Sequence, residues 1–282
     1  MTGAFLCYTG MYAIRKSFLA GQYLSLDLAF DLDGKTVLVI SQVLGYMVSK
    51  FLGIKIISEM SHRVRVYWLV GLVTFGLVML GLFALVPPNL KLVALFLNGL
   101  PLGMIFGIVF SYIEGRRNTE ILAAALSATF IFSTGLVKSV GVLLIQNFGV
   151  EEYNMPFLTG LLFFPIFLIS VWMLVVSGPP NEEDKQARTE RVPMDGIKRR
   201  EFLKRNSLGF SGLVMMYILV TILRDFRDNF IVEFFAELDY SQNPALITLT
   251  EIPVAITVLV VVSMAVLIRK NKVAFNFGMW LT

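Results

Sequence analysis

Long apolar runs of about 20 residues, separated by short polar breaks, recur along the whole chain. Eight are predicted as helices: residues 3–24, 36–58, 65–86, 91–112, 121–146, 155–177, 208–236 and 245–268. A helix rising 1.5 Å per residue needs about 20 residues to cross about 30 Å of hydrocarbon, so each run is read as a membrane span. A ninth apolar run begins at Val273 and stops at Thr282, which covers only about 15 Å as a helix. On this pattern the chain reads as cut at its C-terminal end, with a first helix that lacks any cytoplasmic lead-in. The one long polar stretch, 178–207, opens with Pro179-Pro180 and closes in a basic cluster. It is predicted as a cytoplasmic linker, with a short amphipathic helix at 195–205 against anionic headgroups. The expected organisation is all-α, a polytopic membrane bundle: six spans in 1–177, the linker 178–207, and an incomplete second bundle in 208–282.

Composition agrees with that pattern. Charged residues make up 16% of the 282 and hydrophobic residues 56%, at a mean hydropathy of +0.75, whereas soluble domains carry roughly 25% charged residues. Lys and Arg fall on alternate loops: Arg63, Arg65, Arg116, Arg117, the 178–207 cluster, then Arg269, Lys270 and Lys272. The opposite loops hold Lys35 and Lys91 among many acids. The positive-inside rule then puts the N-terminus in the cytoplasm. The net charge of +4 comes largely from those inner loops, which points to an anionic lipid surface and away from nucleic acid. A single cysteine, Cys7, and a single histidine, His62, leave no material for a disulfide, a thiolate metal cluster or a His-based triad. No cofactor and no enzymatic chemistry are expected. The first run contains Arg15-Lys16 and has no basic leader, so it reads as a retained helix and not as a cleaved signal.

Seven basic residues nevertheless lie inside the apolar runs: Arg15, Lys16, Lys50, Lys55, Lys138, Arg224 and Arg227. A charge at the bilayer centre costs from about 3 to more than 10 kcal/mol, so such residues are expected to be paired or to serve a function. Arg15 lies about 18 Å into its helix, near mid-membrane. Its planar fork suits a phosphate or carboxylate, with a static ion pair as the alternative. Lys16 points elsewhere and is expected to meet a carboxylate. Lys50 is either a point-charge contact to an anion or half of a buried pair. Lys55, nearer the membrane edge, can snorkel. Lys138 follows Ser127, Thr129, Ser133 and Thr134, a polar face suited to a wet cavity, and is a candidate contact to the substrate. Arg224 and Asp228 stand four residues apart and can pair with each other. Alternatively, Arg224 faces Arg15 across a cavity while Asp228 pairs with a lysine and releases it during transport. Glu251, just before Pro253, is a partner for Lys50 or Lys16, or a carrier of a coupling proton. Tyr8 precedes Arg15 by seven residues and Tyr217 precedes Arg224 by seven, an echo suggestive of two related halves. Gly99, Gly103 and Gly107 form a small-residue ridge for close helix packing.

The junction SKFLGIKIISEMSHRVRVYW at 49–68 resembles the loop signature of the major facilitator superfamily. Gly53, Glu59, Arg63 and Arg65 occupy the pattern, with Glu in place of the usual Asp and no second Gly. The resemblance implies a cytoplasmic gate loop and alternating access between two six-helix bundles. YAIRKSF at 12–18, with Ser49-Lys50, resembles the organophosphate:phosphate antiporter group, which includes the glycerol-3-phosphate and hexose-phosphate carriers. Carried over, that likeness implies an anion clasped by Arg15 and Arg224 and assisted by Lys50. The chain departs from the group where Asp225 and Arg227 flank Phe226 in the seventh span. It departs again after the eighth span, where VLIRKNKVAF lacks the Gly and the acid. The expected function is secondary transport of a small anionic metabolite, organic phosphates included, with phosphate or protons as the coupling ion. The expected location is the plasma membrane, on this likeness a bacterial inner membrane. A transporter-like membrane sensor or scaffold with static charge pairs is the alternative.

Overall fold

A computed structural model describes residues 2–26, 33–60, 64–113, 119–178, 196–240 and 243–264, with single positions beyond. Among these residues every regular element is helical. The helices are α1 (Thr2–Lys16), a 3₁₀ turn (Ser17–Ala20), α2 (Gly34–Glu59), α3 (Arg65–Leu85) and α4 (Pro88–Ile113). They continue with α5 (Thr119–Phe148), α6 (Met155–Val176), α7 (Gly196–Glu237) and α8 (Leu246–Met264). Seven of them, α2 to α8, are long and apolar enough to cross a membrane. Their outward faces carry Phe51, Leu162 and Trp172, an arrangement suited to a lipid solvent.

The first span differs from the expected continuous helix. α1 is 15 residues long and tightens at Ser17 into four residues of 3₁₀ helix. Together the two pieces still reach about 30 Å. The change of winding has a local cause. The Ile14 carbonyl accepts from Asn98 Nδ2 at 3.3 Å and the Arg15 carbonyl from Gln42 Nε2 at 2.8 Å. Gln42 also donates to Asn98 Oδ1 at 2.7 Å, and Asn98 to the Gly76 carbonyl at 2.8 Å. Side-chain amides thus satisfy carbonyls at the end of α1, where the helix leaves its own acceptors unpaired. Beyond the turn, the backbone N–H groups of Gln22 and Tyr23 donate to the Glu152 carboxylate at 3.0 and 3.1 Å.

Nearly all of α1 is buried, and it packs on α6, α5, α4 and α3. Its neighbours α2 and α4 pack tightly against each other. A Cβ on Gly45 would lie 2.1 Å from the Phe96 carbonyl oxygen, and one on Gly99 would lie 2.2 Å from that of Gln42. Only hydrogen at these positions lets the two backbones meet, and this contact sets where Tyr46 and Lys50 project.

α7 runs for 42 residues, with non-helical backbone at Asn206 and Phe230. The first break separates a basic segment beginning at Gly196 from the apolar span, close to the expected amphipathic helix. At the second, Lys138 Nζ donates to the Asp228 backbone carbonyl, and a side chain inserted into the helix ladder is a recognised cause of a kink. Every residue from 200 to 220 is exposed, so α7 stands away from the first six helices there and meets them through its second half. α8 packs on α5, where Thr248 Oγ1 and Ser139 Oγ lie 2.7 Å apart.

Gly99→Val should force α2 from α4 and destabilise the protein by about 1–3 kcal/mol, the usual cost of overpacking. Thermal unfolding in detergent would show a lowered midpoint, while Gly71→Ala, which meets nothing within 4 Å, should leave it unchanged.

Candidate anion-binding cavity

A cavity of about 320 Å³ lies between α1, α2, α4 and α5 on one side and α7 and α8 on the other. One wall is aromatic. Tyr8 and Phe130 have ring centroids 4.9 Å apart, Tyr12 stacks on Phe130 at 5.9 Å, and Phe106 meets Tyr8 edge-on at 6.0 Å. Two cations stand against this wall. The Arg15 guanidinium lies 4.0 Å from the centre of the Tyr46 ring, and Lys50 Nζ lies 5.1 Å from the same ring and 5.7 Å from Phe106. Among the described residues, neither cation has a carboxylate within ion-pair distance. A ring face attracts a cation by about 0.5–2 kcal/mol, which holds it without neutralising it.

The other lining charges are paired. Lys16 Nζ lies 2.7 Å from Asp228 Oδ2 and donates to Asn229 Oδ1 at 2.9 Å. Lys138, with only 1% of its side chain exposed, reaches the other carboxylate oxygen of Asp228 at 2.9 Å. Arg227 pairs with Glu251 at 3.0 Å, and Arg224 with Asp225 at 2.9 Å. The cavity wall therefore holds five cations, Arg15, Lys16, Lys50, Arg224 and Arg227, against the carboxylates of Asp225, Asp228 and Glu251. Once the pairs cancel, the surplus positive charge rests on Arg15 and Lys50. Lys138, the second cation on Asp228, adds to the positive field from behind the wall.

A protein-family model matches residues 17–282. The chain belongs to DUF5690, a family of unknown function. No curated protein and no solved structure matches it. Of the cavity residues, Lys50, Arg224, Asp228 and Glu251 fall inside the stretch that matches the family, and Arg15 and Lys16 immediately precede it.

Arg15, Lys16, Lys50, Arg224, Asp228 and Glu251, all singled out in the sequence, meet at this one cavity. Their pairing differs in part from expectation. Arg224 turns to its neighbour Asp225, because both oxygens of Asp228 are held by lysines. Glu251 meets Arg227 and neither Lys16 nor Lys50. Lys138 is committed to Asp228 behind the wall. At the expected gate loop, Gly53 is buried against Met104 of α4, and Arg65 donates to the Ser111 carbonyl at 3.4 Å. Arg63 and the side chains of Lys55 and Glu59 lie outside the described residues.

Sequence reasoning missed Gln42 and Asn98, which fix the end of α1 beside Arg15, and Tyr46, which seats both free cations. The signal for the first two was present: uncharged amides inside otherwise apolar spans require partners. It also assigned Lys35 to a loop. Lys35 is buried at the start of α2, where it donates to the Leu19 carbonyl at 2.9 Å and pairs with Glu233 of α7.

Removing Asp228 strands two buried lysines, whereas removing one lysine leaves the carboxylate its other partner. Asp228→Asn should therefore cost about 3 kcal/mol, the lower end for breaking a buried pair, and Lys16→Met distinctly less. Paired thermal melts of the two variants in detergent check that order.

Proposed function

We propose that the protein is a secondary carrier that moves a small anionic solute across a membrane by alternating access. The observation that carries this reading is the pair of unneutralised cations, Arg15 and Lys50, on the wall of a cavity where every other charge has a partner. Keeping two bare charges within a membrane span is costly, and an arriving anion offsets that cost. The cavity lies between two groups of helices, a placement common for the site of secondary transporters. The likeness to the major facilitator superfamily and its organophosphate:phosphate antiporters gives the reading its frame and makes organic phosphates the first substrates to test. The positive-inside pattern supports a cytoplasmic N-terminus, and a bacterial inner membrane is the setting this likeness suggests.

In this mechanism the anion binds Arg15 and Lys50, and its charge competes for the lysines held by Asp228. Loosening Lys16–Asp228 weakens a link between α1 and α7 and lets the helix groups move relative to each other. Phosphate or a proton serves as the coupling ion, the proton on Asp228 or Glu251.

The number of closed pairs favours one rival, a membrane sensor or scaffold in which Lys16, Lys138, Arg227 and their acids make only static contacts. Uptake separates the two readings. In liposomes containing the full-length protein, Arg15→Gln and Lys50→Gln should each lower uptake of the best organic phosphate about tenfold or more, equivalent to about 1.4 kcal/mol. Uptake that persists unchanged in both variants would sink the carrier mechanism. Absence of uptake of any anion by the unaltered protein would favour the sensor.

A further inference from the structure

Arg224 lines the cavity, and its fork is occupied. Its Nε and a terminal nitrogen both donate to the same oxygen of Asp225, at 3.1 and 2.9 Å. Adjacent residues on a helix do not face each other, so this pair forms only because the long arginine side chain doubles back. The favoured partner four residues along, Asp228, is already held by Lys16 and Lys138. Arg224 and Asp225 both line the cavity, with 58% and 47% of their side chains exposed. An exposed pair of this kind contributes about 1 kcal/mol at most, so another anion can displace it.

We propose that Asp225 is an intramolecular competitor of the transported anion for Arg224. This rests on the anion-carrier reading above. In the empty cavity Asp225 holds the guanidinium. An anion anchored by Arg15 and Lys50 takes its place, and Asp225 recaptures Arg224 as the anion leaves. Two free cations suit a dianionic group, such as a phosphate or a pair of carboxylates. With Arg224 also free, the site would bear a third bare cation and hold its cargo too tightly to turn over. Asp225 thus sets affinity and release rate without contributing to the anion's anchorage.

The test is calorimetric binding of inorganic phosphate, and separately of succinate, to the full chain in detergent. Asp225→Asn should bind about tenfold more tightly, or about 1.4 kcal/mol, and release more slowly. Arg224→Gln alone should change Kd by about threefold or less, since its fork is occupied in the unaltered protein. Combined with Asp225→Asn it should erase the tenfold gain, and Asp225→Glu should retain the original Kd. The proposal is overturned if Asp225→Asn binds no more tightly, if its gain survives Arg224→Gln, which would mark a general charge effect, or if Asp225→Glu behaves like Asp225→Asn. An unaltered chain that binds neither probe overturns the anion-carrier reading itself, and this proposal with it.

Discussion

Asp228 carries one negative charge and meets two buried ammonium groups, Lys16 from α1 and Lys138 from α5. In a low-dielectric interior an unpaired charge is costly and a paired one strongly directional. This cluster therefore fixes the second half of α7 against the first helices. It bends α7 as well, because Lys138 draws on the Asp228 carbonyl. One acid shared by two bases leaves a positive residue of charge next to the cavity. The contact that joins the helix groups is thus also part of what makes the cavity attractive to anions.

Further contacts between the helix groups lie toward the end of the bundle that contains the loop after α7. Lys35 holds Glu233, Ser139 meets Thr248, and Ile231 and Ile247 close a small apolar cluster with Ala20, Val142 and Met155. Toward the other end, α7 is exposed from 200 to 220. Polar latches on one side and divergence on the other leave the cavity between them, near mid-helix. The end of α1 is held separately from these latches, by Gln42 and Asn98.

Much of the helical architecture was legible in the sequence, because run length against membrane thickness is a strong constraint. The boundaries of α3 and α6 fall within a residue of the expected spans. α1 was the exception: its shortening depends on amides contributed by α2 and α4, and no periodicity within its own sequence encodes that. The gathering of charges was legible for a similar reason, since ionisable residues within spans face inward. Their pairing was legible only in part. Lys16 meets a carboxylate and Asp228 pairs with lysines, as one of two open readings had it, whereas spacing along one helix equally allowed Arg224 with Asp228. Lysines from two other helices decide that competition in three dimensions, which one-dimensional spacing does not record. Tyr46 was missed because a tyrosine in an apolar span looks like packing until two cations stand beside it.

Pairing, more than position, separates the roles of the basic residues. Lys16 and Lys138 are paired with Asp228, and Arg227 with Glu251. Arg15 and Lys50 rest on aromatic faces that hold a cation without cancelling its charge. Arg224 lies between these classes, charged and cavity-facing but held by an exposed neighbour. A cavity graded in this way suits the proposed anion carrier, in which cations on rings attract the anion and the weakly held Arg224 tightens around it on arrival. In the proposed carrier, Asp225 governs the grip of Arg224 on the anion, and Asp228 joins α7 to α1 and α5 until the anion competes for its lysines. Two aspartates three residues apart on one helix thus stand in opposite settings, one exposed to the cavity beside Arg224 and the other enclosed by lysines.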